Sequence, residues 1–190
     1  MSKNNQYWYW NDVTNIDQNK EIVKFIDDNF DDFEPENWGA KDEKGSKKKS
    51  SIVKWIYYGK IKNYLEPILD LAIQSNYENF GYDLYNMTNG RRILLNTYSS
   101  EFKSKYDWHV DTSSGEQFVD TKLTILLNVS TENYTGGEFE IFNNNIVSVP
   151  ELSKPGNMIM FKSYLHHRVL PVKTGERKTL AIFLLGPKFR

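Results

Sequence analysis

From about Phe80 onward the chain breaks into short apolar runs rich in β-branched and aromatic residues. These are FGYDLYNM, RRILLNTY, YDWHVD, KLTILLNVS, GEFEIF, IVSV, NMIMFKS, HRVLPV and KTLAIFLL. Gly136-Gly137 and Asn143-Asn144-Asn145 mark turns between them. About eight short strands at such spacing predict an antiparallel sandwich or barrel.

The residues before Phe80 have a different texture. In DQNKEIVKFIDDNF, residues Ile22, Val23, Phe25, Ile26 and Phe30 approximate one helical face. Ile61, Tyr64, Leu65, Ile68, Leu69 and Ala72 do the same in KIKNYLEPILDLAIQSNYENF. Pro67 is awkward inside that pattern and fits best in the first turn of a helix that starts late. SIVKWIYYG, between the two, alternates as a strand does. The charged stretch Lys41 to Ser50 reads as a solvated loop, with a substrate or anion contact as the alternative. The 190 residues favour one domain, with 1–79 as a helical N-terminal support and 80–190 as the β core. The fold class is therefore α+β, mainly β, with the helices packed on one sheet.

Composition removes several functions. There is no cysteine, which excludes a disulfide scaffold, a zinc knuckle and a thiol nucleophile. The 24 basic and 25 acidic residues nearly cancel, which argues against a nucleic-acid partner. MSKNNQYWYWND holds no apolar run long enough for a signal peptide or membrane span. The expectation is a soluble, cytoplasmic protein without a membrane partner.

The chain has only three histidines, and they fall in two places. His109 is followed two residues later by Asp111, and His166 and His167 are adjacent. Along a strand, residues i and i+2 share a face, so His109 and Asp111 are placed to hold one ion. A third ligand must come from elsewhere, and only His166 or His167 remains as a histidine source. Two imidazoles and one carboxylate make the facial set that suits non-haem Fe(II) and leaves positions open. Alone, His-x-Asp is weak: two polar residues at a strand end look the same.

Taken together, YDWHVD, LTILLNVS with YTGGEFEIF, PGNMIMFKS and LHHRVLPVKTGERKTLAIFLLGP resemble the Fe(II)- and 2-oxoglutarate-dependent dioxygenases of the prolyl 4-hydroxylase type. The resemblance covers Tyr98 to Pro187 well and the N-terminal half loosely, through SIVKWI and NYENFGYDL. It implies a double-stranded β-helix, or jelly roll, as the core. It implies metal ligation by His109, Asp111 and His167, the last because it precedes Arg-Val and stands ten residues before Arg177. His166 is then a partly exposed sheet residue. Arg177 would grip the far carboxylate of 2-oxoglutarate, with Tyr98, Thr124, Leu126 and Phe139 lining the cosubstrate pocket. Some members carry a tyrosine where Leu126 stands, so Tyr98 or Thr124 would supply the missing hydrogen bond. Tyr106 recurs in the family, but strand alternation points it away from His109 unless a bulge intervenes. Gly137 reads as a turn residue.

The implied cofactors are Fe(II), 2-oxoglutarate and O2, with ascorbate as a candidate reductant. The implied reaction hydroxylates an unactivated C–H bond and converts 2-oxoglutarate to succinate and CO2. A carboxylate ligand at Asp111 favours hydroxylation over halogenation. The substrate is a prolyl residue of a protein or peptide, or alternatively a free amino acid or other small molecule. Ser99 to Lys105, Thr112 to Asp120 and Lys41 to Ser50 are the loops expected at the mouth. Competing readings are a non-catalytic jelly-roll binding module and a different metal enzyme, such as a cupin isomerase or a zinc hydrolase.

Overall fold

The computed structural model describes residues 5–30, 48–112 and 121–188. The 41–47 and 113–120 portions of the expected mouth loops lie outside the described residues. The elements, in chain order, are β1 (Tyr7–Trp10), α1 (Ile16–Asn29), β2 (Ile52–Tyr57), α2 (Tyr58–Asn79), β3 (Arg92–Ser99) and β4 (Tyr106–His109). There follow β5 (Thr121–Asn128), β6 (Thr135–Gly136), β7 (Phe139–Asn143), β8 (Asn145–Ser148), β9 (Met158–Lys162), β10 (His166–Val169), β11 (Val172–Thr174) and β12 (Glu176–Leu185).

Two antiparallel sheets carry the core, a six-stranded one ordered β1-β9-β5-β12-β3-β2 and a four-stranded one ordered β4-β10-β7-β8. A third pair, β11-β6, lies beside them. This is the jelly-roll arrangement expected from the sequence. Period-two alternation assigns each strand's faces. Leu123, Ile125 and Leu127 of β5, and Leu180, Ile182 and Leu184 of β12, point outward into a cluster with Ile22, Ile26, Ile61, Leu65 and Ile68 of the helices. Leu126, Ala181, Leu94, Phe139, Phe161 and Val169 point inward between the two sheets. Both faces of the large sheet are thus covered, which is why KLTILLN is buried throughout.

Several local features differ from the sequence reading. α2 begins at Tyr58, so Pro67 sits in its interior and not in a first turn. Proline costs an interior helix about 3 kcal/mol. The burial of Ile61, Leu65, Ile68, Leu69 and Ala72 against the sheet offsets that cost. FGYDLYNM forms no strand. Gly81 turns at φ +74, and Tyr82, Leu84 and Met87 pack partly buried against the helical cluster without a ladder. HRVLPV is two strands, broken at Pro171, which has no N–H to donate. The first 79 residues supply more than helices, since β1 and β2 form the two edges of the large sheet. Among the described residues, no helix is long and apolar enough to cross a membrane.

Candidate metal and cosubstrate site

The inner faces of the two sheets meet at a cavity. His109 and His167 enter it from adjacent strands, where they are direct Cα partners in the β4–β10 pair. Asp111 lies just past the end of β4, where its N–H and that of Thr112 donate to the Ser163 carbonyl. The ligand atoms of His109, Asp111 and His167 all lie within 4.8 Å of one another. His167 Nε2 is 3.4 Å from Asp111 Oδ2, and His109 Nε2 is 3.7 Å from Asp111 Oδ1. Bonds of about 2.1 Å leave neighbouring ligands about 3 Å apart, so small side-chain rotations close these three on one ion.

The hydrogen bonds behind the ligands fix which nitrogen faces the cavity. His109 Nδ1 lies 2.7 Å from the Asp107 carbonyl, and His167 Nδ1 lies 2.9 Å from the Leu165 carbonyl. A carbonyl only accepts, so each Nδ1 carries the proton and each Nε2 presents its lone pair. Such backing is the usual support for a ligating histidine. Burial, followed by the neighbouring His167, pushes the His109 imidazole well below 6.5, which keeps it in the neutral form that could bind a metal. His166, by contrast, is exposed on the opposite face of β10.

Thr124 was expected in the cosubstrate pocket, but it does not line the cavity. Its hydroxyl donates to Asp111 Oδ2 at 2.8 Å and lies 3.0 Å from Ser163 Oγ. Thr124 therefore orients the Asp111 carboxylate. The other expected pocket residues, Tyr98, Leu126, Phe139 and Arg177, do line the cavity.

Arg177 is 1% exposed. Its Nη1 donates to Thr179 Oγ1 at 3.3 Å, while Nε and Nη2 are buried with no hydrogen-bond partner among the described residues. A buried guanidinium with two unpartnered nitrogens is costly unless an anion completes it, and it suits a bidentate carboxylate. Tyr98 is its Cα partner on β3, with the guanidinium 5.5 Å from the ring centre. Burial raises the Tyr98 phenol to about 12, although Arg177 opposes the shift, so this hydroxyl remains a neutral donor. Gly137 is more than a turn residue. Its φ is +67, and a Cβ there would meet Arg177 Cδ at 2.9 Å, so the absent side chain is the space that Arg177 occupies.

Sequence reasoning favoured a solvated Lys49 and left the place of Tyr106 open. Lys49 belongs to the charged stretch read as solvated, yet it is 7% exposed and lines the cavity. Its backbone bridges Tyr106, and its Nζ donates to Asn96 Oδ1 at 2.8 Å. A usable signal existed, because Val53 and Trp55 point inward and the same alternation, continued upstream, brings Lys49 to that face. Tyr106 reaches the site through the bulge that alternation required. Val169 pairs with Tyr106 and His167 with His109, so β4 carries an extra residue and both of its side chains turn inward. The Tyr106 and His109 rings stack with centroids 3.4 Å apart.

Residues 93–185 match the profile of the 2OG-Fe(II) oxygenase superfamily. No curated protein matches the chain by sequence. Among solved structures, a prolyl-4-hydroxylase from Pseudomonas putida superposes with TM-score 0.69 at 16% identity, over 96% of this chain and 93% of that one. A viral collagen prolyl hydroxylase from Paramecium Bursaria Chlorella virus-1, in its 2OG complex, gives 0.68 at 15% identity, over 96% and 97%. A prolyl hydroxylase from Trichoplax adhaerens, in complex with a hypoxia inducible factor oxygen degradation domain peptide fragment, gives 0.65 at 15%, over 95% and 84%.

Proposed function

Because residues 93–185 match the 2OG-Fe(II) oxygenase profile, we propose that the chain is such an oxygenase and hydroxylates an unactivated C–H bond of a prolyl residue in a protein or peptide. The observation that carries the cosubstrate half of this reading is Arg177. It is a buried guanidinium with two nitrogens unpartnered among the described residues, in the same cavity as the His109, Asp111 and His167 cluster. A zinc hydrolase or a plain binding module has no need for that isolated cation beside the metal ligands. The likeness to three prolyl hydroxylases supports the substrate half.

In this reading His109 Nε2, His167 Nε2 and one Asp111 oxygen hold Fe(II). When bound, Fe(II) and 2-oxoglutarate together supply O2-dependent decarboxylation to succinate and CO2, coupled to hydroxylation. The chain's own residues set the conditions for it. Arg177 fixes the distal carboxylate and so orients the keto acid toward the ligands. Tyr98 offers a hydroxyl at the same end, in place of the tyrosine that Leu126 does not provide. Thr124 holds Asp111 in one orientation. Leu126, Phe139 and Val169 make the lining apolar, which keeps water sparse and strengthens the polar contacts within it.

The test is conversion of 2-oxoglutarate to succinate by protein supplied with Fe(II), ascorbate and air, with proline-containing peptides screened for a gain of one oxygen. Succinate without any peptide hydroxylation would move the substrate to a small molecule. No succinate from a folded, iron-loaded protein would contradict the dioxygenase reading.

A further inference from the structure

The cavity contains a second buried cation that the reaction described above does not use. Lys49 Nζ has one hydrogen-bond acceptor among the described residues, the neutral amide oxygen of Asn96 at 2.8 Å. Its other close neighbour is the face of the Tyr106 ring, 4.8 Å from the centroid. An ammonium has three donors, and among the described residues this arrangement gives one of them a hydrogen-bond acceptor. Burial brings the Lys49 ammonium down to about 8, while Asp111 opposes the shift, so it remains largely protonated at neutral pH.

The charges in the loaded site do not balance. Fe(II) and Arg177 bring three positive charges, and Asp111 with the two carboxylates of 2-oxoglutarate brings three negative ones. Burial raises the phenols of Tyr98 and Tyr106, so neither supplies a phenolate. His109 and His167 enter as neutral ligands. Among the described residues, the charge on Lys49 is left over. Among the described residues its close partners are an amide and a ring, which compensate an ammonium poorly, and an anion on a ligand corrects that where a neutral carbonyl does not.

Building on the dioxygenase reading, we infer that Lys49 receives a carboxylate carried by the substrate. Two sources share this chemistry: the free carboxylate of a small acid, and an acidic side chain beside the target residue of a peptide. Lys49 is then a specificity-determining residue, and the protein rejects substrates that offer only amides at this position.

The experiment measures binding by calorimetry to protein loaded with Mn(II) and 2-oxoglutarate under nitrogen, where no turnover occurs. The probes are N-acetyl-L-proline against N-acetyl-L-prolinamide, and capped proline peptides with Glu against Gln beside the proline. We expect the acid of at least one pair to bind tenfold or more tighter than its amide. Preference within the first pair assigns a free acid, and preference within the second assigns an acidic peptide. Lys49→Arg should keep the preference and Lys49→Met should lose it. Asn96→Asp, which seats a carboxylate on Nζ while leaving Lys49 in place, should also lose it. The inference is overturned if wild-type protein prefers no acid over its amide, or if the preference survives in both Lys49→Met and Asn96→Asp. The visible band of the Fe(II) and 2-oxoglutarate complex separates the two readings. Its presence without any acid preference removes only the role of Lys49, and its absence removes the dioxygenase reading itself.

Discussion

His109 and His167 are paired directly across β4 and β10, with ring centroids 4.0 Å apart and both Nδ1 atoms turned onto backbone carbonyls. The two imidazoles are therefore held by the sheet ladder itself, before any ion arrives. Site geometry of this kind depends on strand register, and a one-residue slip would send one ring to the opposite face.

The depressed His109 titration has a consequence for stability in the metal-free protein. In the unfolded chain this imidazole protonates near 6.5, whereas in the folded chain it does so well below that value. Between those two values the unfolded state binds more protons, so stability falls as pH falls below about 6.5 and is flat in this respect above it. Urea midpoints measured from pH 7.5 to 5.5 should drop less steeply in His109→Gln than in wild type. Equal slopes would contradict the assignment.

Thr124 should matter through Asp111. Thr124→Val keeps the shape and removes the hydroxyl that donates to Asp111 Oδ2. Loss of a partner behind a metal ligand commonly weakens metal binding by about 10- to 100-fold. Titration of Mn(II) into the variant should show a loss in that range, with 2-oxoglutarate affinity per loaded protein little changed. If Thr124 instead contacted the cosubstrate, the pattern would reverse.

Arg177→Met should separate function from folding. Removing one partner of a buried charged contact costs a ligand roughly 2–5 kcal/mol of affinity. In the ligand-free protein Nε and Nη2 have no partner to lose among the described residues. Thermal unfolding of ligand-free Arg177→Met should therefore be as high as wild type or higher, while the rise in Tm produced by 2-oxoglutarate disappears. A variant that simply unfolds would show that Arg177 is structural.

Gly137→Ala places a methyl group 2.9 Å from Arg177 Cδ and 3.1 Å from Val172 Cγ2, at φ +67. Strain and overpacking of this kind cost about 1–3 kcal/mol. Denaturant unfolding should show that loss, and 2-oxoglutarate affinity should fall with it because Arg177 must shift. Stability equal to wild type would remove the steric role given to this glycine.

What the sequence revealed, and what it hid, follows from the range of each interaction. The strands from β3 onward were legible because alternation is local. The ligand candidates were legible because three histidines fall in only two places, and the resemblance chose between His166 and His167. Pro67 misled because helix α2 is held by packing on the sheet, which no local rule records. Lys49 was hidden by its lysine-rich surroundings, although the inward parity of Val53 and Trp55 pointed to it. The bulge in β4 and the turn of Thr124 onto Asp111 depend on register between distant segments, which spacing along the chain does not encode.

The most direct test of the central claim needs no substrate. Fe(II) and 2-oxoglutarate are titrated into metal-free protein without oxygen, and the visible metal-to-ligand charge-transfer band is followed in wild type, His167→Ala, His166→Ala and Arg177→Ala. The account predicts a band in wild type that survives in His166→Ala, vanishes in His167→Ala and needs far more 2-oxoglutarate in Arg177→Ala. A folded wild-type protein that gives no band, or a band that survives in His167→Ala, would contradict it.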